Sequence, residues 1–252
     1  MNRTLARERE HWEDHSEPYI FFDDNEQRLI LSLLSQAALR GVRVLEIGCG
    51  AGVWTGNLAR LGAQVYHFDL ADAIVERARR AAAPDPTQGF VADMHDLPFS
   101  NASFDAIFGS MVMHHTDDHR EFGKEVARVL KPSGRAVFHE NSARNPFLLL
   151  ARRLLVGRFG VPRHSSPGEH PLRPQEIENF SQAFALKRIH IGRMVLMQLA
   201  VKYLLRTESG TLFTLARRVD NLLYRVFPGL RWMSYYQILE FQAPANLKES
   251  GG

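Results

Sequence analysis

Val44-Leu45-Glu46-Ile47-Gly48-Cys49-Gly50-Ala51-Gly52 is a short apolar run that breaks into three alternating glycines and then enters a helical pattern. It reads as a buried strand, a tight turn and a helix start. A strand that reverses directly into a helix needs backbone angles that a side chain obstructs, and glycine also lets a ligand approach the main chain closely. The stretch therefore points to a nucleoside-like ligand. Its G-x-G-x-G spacing differs from the G-x-G-x-x-G turn of dinucleotide sites, which argues against a nicotinamide oxidoreductase.

Three further apolar runs follow, each ending in polar residues. Ala63 to Phe68 ends in Asp69, at about the 20-residue interval from the glycines where a carboxylate grips ribose hydroxyls. Gly89 to Ala92 ends in Asp93-Met94, and Phe104 to Ser110 leads to His114-His115. Strands expected near 42–47, 63–68, 88–92, 104–110 and 134–140 alternate with helical patterns, the signature of a parallel sheet covered on both faces. Ligands of such sheets sit at the carboxyl ends of the strands, where Gly48, Asp69, Asp93 and Ser110 all fall. A sixth strand near Leu186 to Ile191 and a seventh near Tyr235 to Phe241 complete the sheet.

VLEIGCGAG, HFDLADAIVERAR, VADMHDLPFSNASFDAIFGSMVMHH and EVARVLKPSGRAVF together resemble the class I S-adenosylmethionine-dependent methyltransferases, and among them the small-molecule group that includes quinone-biosynthesis enzymes. The resemblance covers roughly residues 40 to 140. It implies a Rossmann-like α/β fold: a seven-stranded, mostly parallel sheet with helices on both faces, an antiparallel last strand and a helical insertion between strands six and seven. Residues 1–40 then form an N-terminal helical cap and 41–145 the S-adenosylmethionine-binding core. Residues 146–252 are the C-terminal part of the same domain, with substrate-lid insertions at 146–173 and 192–233.

The resemblance also implies roles. Gly48, Cys49, Gly50 and Gly52 lie against the amino-acid portion of S-adenosyl-L-methionine, with Glu46 near its methionine moiety. Asp69, followed by Leu70, takes the ribose hydroxyls; Asp93 and Met94 take the adenine; Ser110 completes the cofactor set, and S-adenosyl-L-homocysteine is the product. As helix caps, Asp69 and Asp93 have a structural alternative. Methyl transfer asks mainly for alignment and exclusion of water, with a base only where the acceptor must lose a proton. His114 and His115, directly after the fourth strand, are the candidates for that base, with packing or cofactor contact as their bland alternative. His115 and His119 have metal-like spacing, but Thr116 to Asp118 reads as a helix cap, and no metal is expected. Trp12, Tyr19, Phe22 and His139 are candidate acceptor contacts; the aromatic ones fit plain packing equally well.

The chain of 252 residues suits one large α/β domain, and its single cysteine, Cys49, excludes an internal disulfide and suits a reducing, cytoplasmic setting. No apolar run reaches the roughly 20 residues of a membrane span. Residues 1–140 carry 15 basic and 21 acidic side chains, residues 141–252 carry 16 and 7, so positive charge gathers in the C-terminal part. There, residues 192–233 hold two amphipathic helical patterns interleaved with arginines. They read either as a lid packing its apolar face on the domain or as a basic surface that touches anionic lipid. No nucleic-acid module is present, and nucleic acid is not an expected partner. The expected reaction is methyl transfer to a small, hydrophobic or amphipathic acceptor, with oxygen favoured over nitrogen or carbon; the alternative is a non-catalytic binding protein that uses the helical insertion for a partner. No oligomeric state is assigned.

Overall fold

The computed structural model describes residues 24–35, 38–158, 170–192, 195–207 and 210–244. Trp12, Tyr19 and Phe22, and most of the expected N-terminal cap, lie outside the described residues. In chain order the strands are β1 (Arg43–Ile47), β2 (Gln64–Asp69), β3 (Thr87–Val91), β4 (Phe104–Ser110), β5 (Leu130–Asn141), β6 (Leu186–Ile191) and β7 (Tyr236–Gln242). They form one sheet in the order β3-β2-β1-β4-β5-β7-β6, with β7 antiparallel to both of its neighbours. This is the mostly parallel sheet that the alternating pattern predicts, in the Rossmann-like form that the resemblance implies.

Register explains where the chemistry gathers. Ile47 lies beside both Phe68 and Gly109, and Ser110 beside His139, so the residues that follow β1, β2 and β4 emerge side by side at one edge. β5 starts earlier than expected, at Leu130. An irregularity in its pairing with β4 and a left-handed Ser133 (φ 60) absorb the Lys-Pro-Ser-Gly stretch that reads as a turn.

Helices α1 (Asp24–Leu34), α2 (Val53–Arg60), α3 (Asp72–Ala82), α4 (His119–Val129) and α6 (Pro174–Ser181) flank this sheet, while α5 (Pro146–Leu155) follows β5 and buries no residue. Ile30, Val44, Trp54, Leu58, Phe108 and Val137 make the core on the α1 and α2 side. Leu45, Ile107, Phe122, Phe138, Phe180 and Phe241 make the other, against α4 and α6. Alternation along β1 sends Val44 to the first core and Leu45 to the second, as a strand buried on both faces requires. α1 is shorter than its apolar spacing suggests. Ser35 turns its hydroxyl onto the Ala38 carbonyl, a local bond that competes with helix continuation, although Leu39 still joins the core.

Between β6 and β7 stand α7 (Leu196–Leu204) and α8 (Gly210–Val226), then a 3-10 turn (Pro228–Met233). The two helices pack together and share one buried acid. Asp220 of α8 accepts from the Met197 and Gln198 amides at 2.9 and 3.0 Å and from Gln198 Nε2 at 3.1 Å, so one helix caps the start of the other.

Candidate functional site

At the head of the edge, the three glycines turn out to serve three needs. A Cβ on Gly48 would stand 2.9 Å from Val112 Cγ2, and one on Gly52 2.5 Å from the Ala78 Cα, so these two close approaches are to the protein itself. At Gly50 (φ +47) nothing stands within 4 Å, and the main chain is open there. Asp69 fixes this open point. Its Oδ2 accepts from the Gly50 amide at 3.1 Å and its Oδ1 from the Leu70 amide at 2.8 Å. It caps no helix, because the residue before α3 is Ala71.

Glu46, on the α2 side of β1, is buried and accepts a 2.5 Å hydrogen bond from Thr55 Oγ1. Burial pushes its carboxyl up to about 8 and neighbouring Asp69 adds to the rise, while the Thr55 hydroxyl works against it. Burial likewise raises Asp69; the Gly50 and Leu70 amides and the nearby His115 oppose that rise. Two carboxylates held out of water beside an open main chain are a site short of positive charge and of hydroxyl donors. Cys49 lies buried between them, and desolvation raises its thiol far from reactivity.

Asp93 follows β3 and engages its neighbour. Its Oδ1 accepts from the His95 amide at 2.9 Å and lies 2.8 Å from His95 Nδ1; His95 Nε2 reaches Thr116 Oγ1 at 2.6 Å. Asp93 is thereby tied to the turn that carries the histidines, and it precedes no helix. Met94 is buried in the core beside it.

That turn begins at Met111, which is left-handed (φ 56) and donates its amide to the His139 carbonyl at 2.8 Å. A 3-10 turn (Met113–His115) follows, then Asp118, whose carboxylate caps α4 through the Glu121 amide. His115 closes the 3-10 turn and His119 opens α4, so the cap separates them, and among the described residues no three acids, histidines or cysteines are grouped to hold a metal. His114 is paired: its Nδ1 lies 2.7 Å from Glu140 Oε2, with both side chains buried. Glu140 Oε1 accepts from the Val112 and Met113 amides, each at 2.7 Å. One carboxylate at the end of β5 thus holds both the histidine and the turn beneath it.

His139 is fully buried and its ring lies 4.8 Å from that of Tyr236. The hydroxyl of Ser110, its neighbour on β4, is buried without a hydrogen-bond partner, as is Asn141 Oδ1. Three site residues escape motif reading: Thr55, His95 and Thr116. Glu140 stands in the stretch His139-Glu140-Asn141, which closes the fifth strand at the same edge and reads from sequence as a candidate for polar substrate contact; its hold on His114 is not readable there.

Residues 45–138 match a family described as a methyltransferase domain. The chain is 39% identical over 118 residues to a demethylmenaquinone methyltransferase of Clavibacter sepedonicus, covering 46% of this chain and 47% of that protein, about half its length. It is 37% identical over 168 residues to a ubiquinone biosynthesis O-methyltransferase of Xanthomonas campestris pv. campestris, covering 64% of this chain and 69% of that protein. Among solved structures, the N-methyltransferase NodS of Bradyrhizobium japonicum WM9, in complex with S-adenosyl-L-homocysteine, superposes with a TM-score of 0.58 at 17% identity. It covers 96% of this chain and the whole of that one, a likeness of fold.

Proposed function

The chain belongs to the S-adenosylmethionine-dependent methyltransferase family, and we propose that it methylates a hydroxyl of a small, hydrophobic or amphipathic acceptor of the quinone-biosynthesis type. The observation that carries the reading is the convergence, at one sheet edge, of the open Gly50 with its two desolvated carboxylates and the buried His114–Glu140 pair.

S-adenosylmethionine fits the first part by chemistry: it brings the positive charge that Glu46 and Asp69 lack, the ribose hydroxyls that Asp69 can accept, and a flat base for the Asp93 and Met94 side. When bound, it supplies an electrophilic methyl carbon on a cationic sulfur. Ser110 offers an uncommitted hydroxyl beside the same edge. In the acceptor half, Glu140 accepts a hydrogen bond from the Nδ1–H of His114, which keeps the proton on Nδ1 and makes the opposite ring nitrogen the basic one. That nitrogen would receive the proton that the acceptor's hydroxyl gives up on methylation. His115, within electrostatic reach of Asp69, faces the cofactor side. A relative named as an O-methyltransferase supports oxygen as the acceptor atom.

Residues 1–40, with Trp12, Tyr19 and Phe22, and the insertions 146–173 and 192–233 belong to this reading as the cover over the acceptor. Asn145 Nδ2 donates to the Met233 carbonyl at 2.7 Å and so joins the two insertions just beyond the end of β5, beside buried His139. A cytoplasmic setting belongs to it as well, supported by the lone buried thiol of Cys49.

Calorimetric titration with S-adenosylmethionine and S-adenosylhomocysteine, repeated on Asp69→Ala and Gly50→Ala, tests the cofactor half. Binding to the intact protein that both variants lose supports it, and a hydroxyquinone panel assayed for methyl transfer then tests the acceptor. Binding that survives in both variants would place the cofactor elsewhere and sink the reading.

A further inference from the structure

The helix α5 has no buried residue; Phe147 (64% exposed), Leu150 and Leu154 recur on it at i, i+3 and i+7, so they form a single stripe facing out. α8 repeats the pattern. Its Leu212, Leu215, Leu222 and Val226 fall on one exposed side, and Trp232 stands exposed on the 3-10 turn that follows. Scattered apolar residues on a surface need no explanation, but two aligned stripes do.

Their charges are one-sided. Arg152 and Arg153 are the charged residues of α5, and Arg217, Arg218 and Arg225 the exposed charged residues of α8. The single acid on the two helices, Asp220, is buried and committed to the amides that open α7. The two stripes are also tied together. The Asn145 that caps α5 donates to the Met233 carbonyl, and Arg231 of the same 3-10 turn donates to the Tyr224 carbonyl of α8 at 3.1 Å.

Among the described residues no helix is long and apolar enough to cross a membrane. A helix with an apolar stripe flanked by arginines instead lies in the plane of the headgroups, where its leucines enter the acyl boundary and its arginines meet anionic lipid. We propose that α5, α8 and Trp232 form a docking face for an anionic membrane surface, from which the protein takes an acceptor dissolved in the bilayer. The origin of the acceptor rests on the methyltransferase reading; the lipid contact does not.

Co-sedimentation with vesicles of phosphatidylcholine alone, and of phosphatidylcholine mixed with phosphatidylglycerol, is the test. The protein binds the mixed vesicles, binds them less as salt rises, and leaves the neutral ones in the supernatant. Arg218→Gln with Arg225→Gln weakens binding about thirtyfold, since each basic side chain near an anionic surface contributes about a fivefold factor. Leu215→Glu with Leu222→Glu, and separately Phe147→Glu with Leu150→Glu, abolish it. All variants keep the thermal transition of the parent, because the substituted side chains are exposed or flank exposed ones. Equal binding to both vesicles, or to neither, overturns the proposal. So does a dimer of the parent protein that the leucine variants dissociate, which would make this face a contact between copies. Lipid binding without cofactor binding would sink the methyltransferase reading alone; cofactor binding without lipid binding would sink this one alone.

Discussion

Glu46 is the group whose replacement separates the cost of an empty site from its use. Its carboxyl moves from an ordinary 4.5 to about 8, chiefly through burial and next through Asp69. A group whose folded value is raised contributes its full stability below the unfolded value, and that stability is lost as pH rises through the folded value. At pH 7 the unfolded chain carries Glu46 ionised and the fold carries it protonated, a proton uptake that costs about 3 kcal/mol. Glu46→Gln keeps the shape and the acceptor for Thr55, and removes that cost; its buried amide nitrogen gives back about 1 kcal/mol. The variant therefore gains about 2 kcal/mol at pH 7, about 4–8 °C for a chain of this size. The parent loses about 1.4 kcal/mol per pH unit between 5 and 8 at this group, and the variant does not. Cofactor binding reverses the benefit. A cation beside Glu46 draws its carboxyl back to the ionised form, so binding at pH 7 releases nearly one proton and tightens about tenfold per unit from pH 6 to 8. Melting curves across pH, and calorimetry of S-adenosylmethionine binding in buffers of differing ionisation enthalpy, read both effects. A variant that melts at or below the parent at pH 8, together with binding that releases no proton, would refute the reasoning.

Other perturbations follow from the same geometry. Burial, and then the charge of Arg79, pushes His67 down to about 4; its stability is complete above pH 6.5 and drains as pH falls toward 4, so His67→Gln flattens the acid side of the melting profile by up to about 3 kcal/mol. Glu140→Gln leaves KM for the acceptor near its parent value and lowers kcat about 10- to 100-fold, because His114 loses the carboxylate that fixes its tautomer and ring orientation. KM and kcat falling off together with thermal stability would leave Glu140 with a purely structural part. Asp220→Ala strips the cap from α7 at a cost of about 1–2 kcal/mol, seen as faster hydrogen exchange in 196–204 while the sheet amides keep their protection. Gly52→Ala, which brings a Cβ to 2.5 Å from the Ala78 backbone at φ +77, lowers stability by at least about 2 kcal/mol. Gly50→Ala meets no neighbour and carries only the strain of its left-handed φ +47, about 1–2 kcal/mol, so it still folds.

The strand pattern was legible because the central strands are buried on both faces, and β1, β2 and β3 run into a glycine or an acid at their ends: β6 runs over Leu186–Ile191, where the sequence pattern puts it, and β1 to β4 lie within a residue of their expected ends. Boundaries failed where local bonds override pattern, as at Ser35 after α1 and at the irregular start of β5. The glycine motif is legible as a motif but not in its parts. That Gly48 yields to Val112 and Gly52 to Ala78 of α3, while Gly50 alone is open, depends on residues 64 and 26 positions further along the chain. The partnerships of Thr55 and Glu140 were silent for a related reason. Each acts by meeting a partner from another element, Glu46 across the turn and His114 across the sheet, and a single-residue signal carries no partner.

The arginines of the C-terminal part suit any polyanion, and charge alone does not choose between a phosphate backbone and a bilayer. The leucines do. Phosphate contacts come from arginines, lysines and main-chain amides, and exposed leucines bring nothing to them. In the acyl boundary of a bilayer, each Å² of such apolar surface removed from water contributes about 25 cal/mol. The exposed leucines of α8 lie next to the side that packs on α7, with Arg218 and Arg225 flanking them on the other side and Arg217 farther round the helix, so one helix presents lipid-like and headgroup-like partners to the same plane. Raising salt therefore separates the two occupants. A nucleic-acid contact carried by these arginines collapses steeply with ionic strength, whereas a membrane contact retains the fraction that the leucines supply.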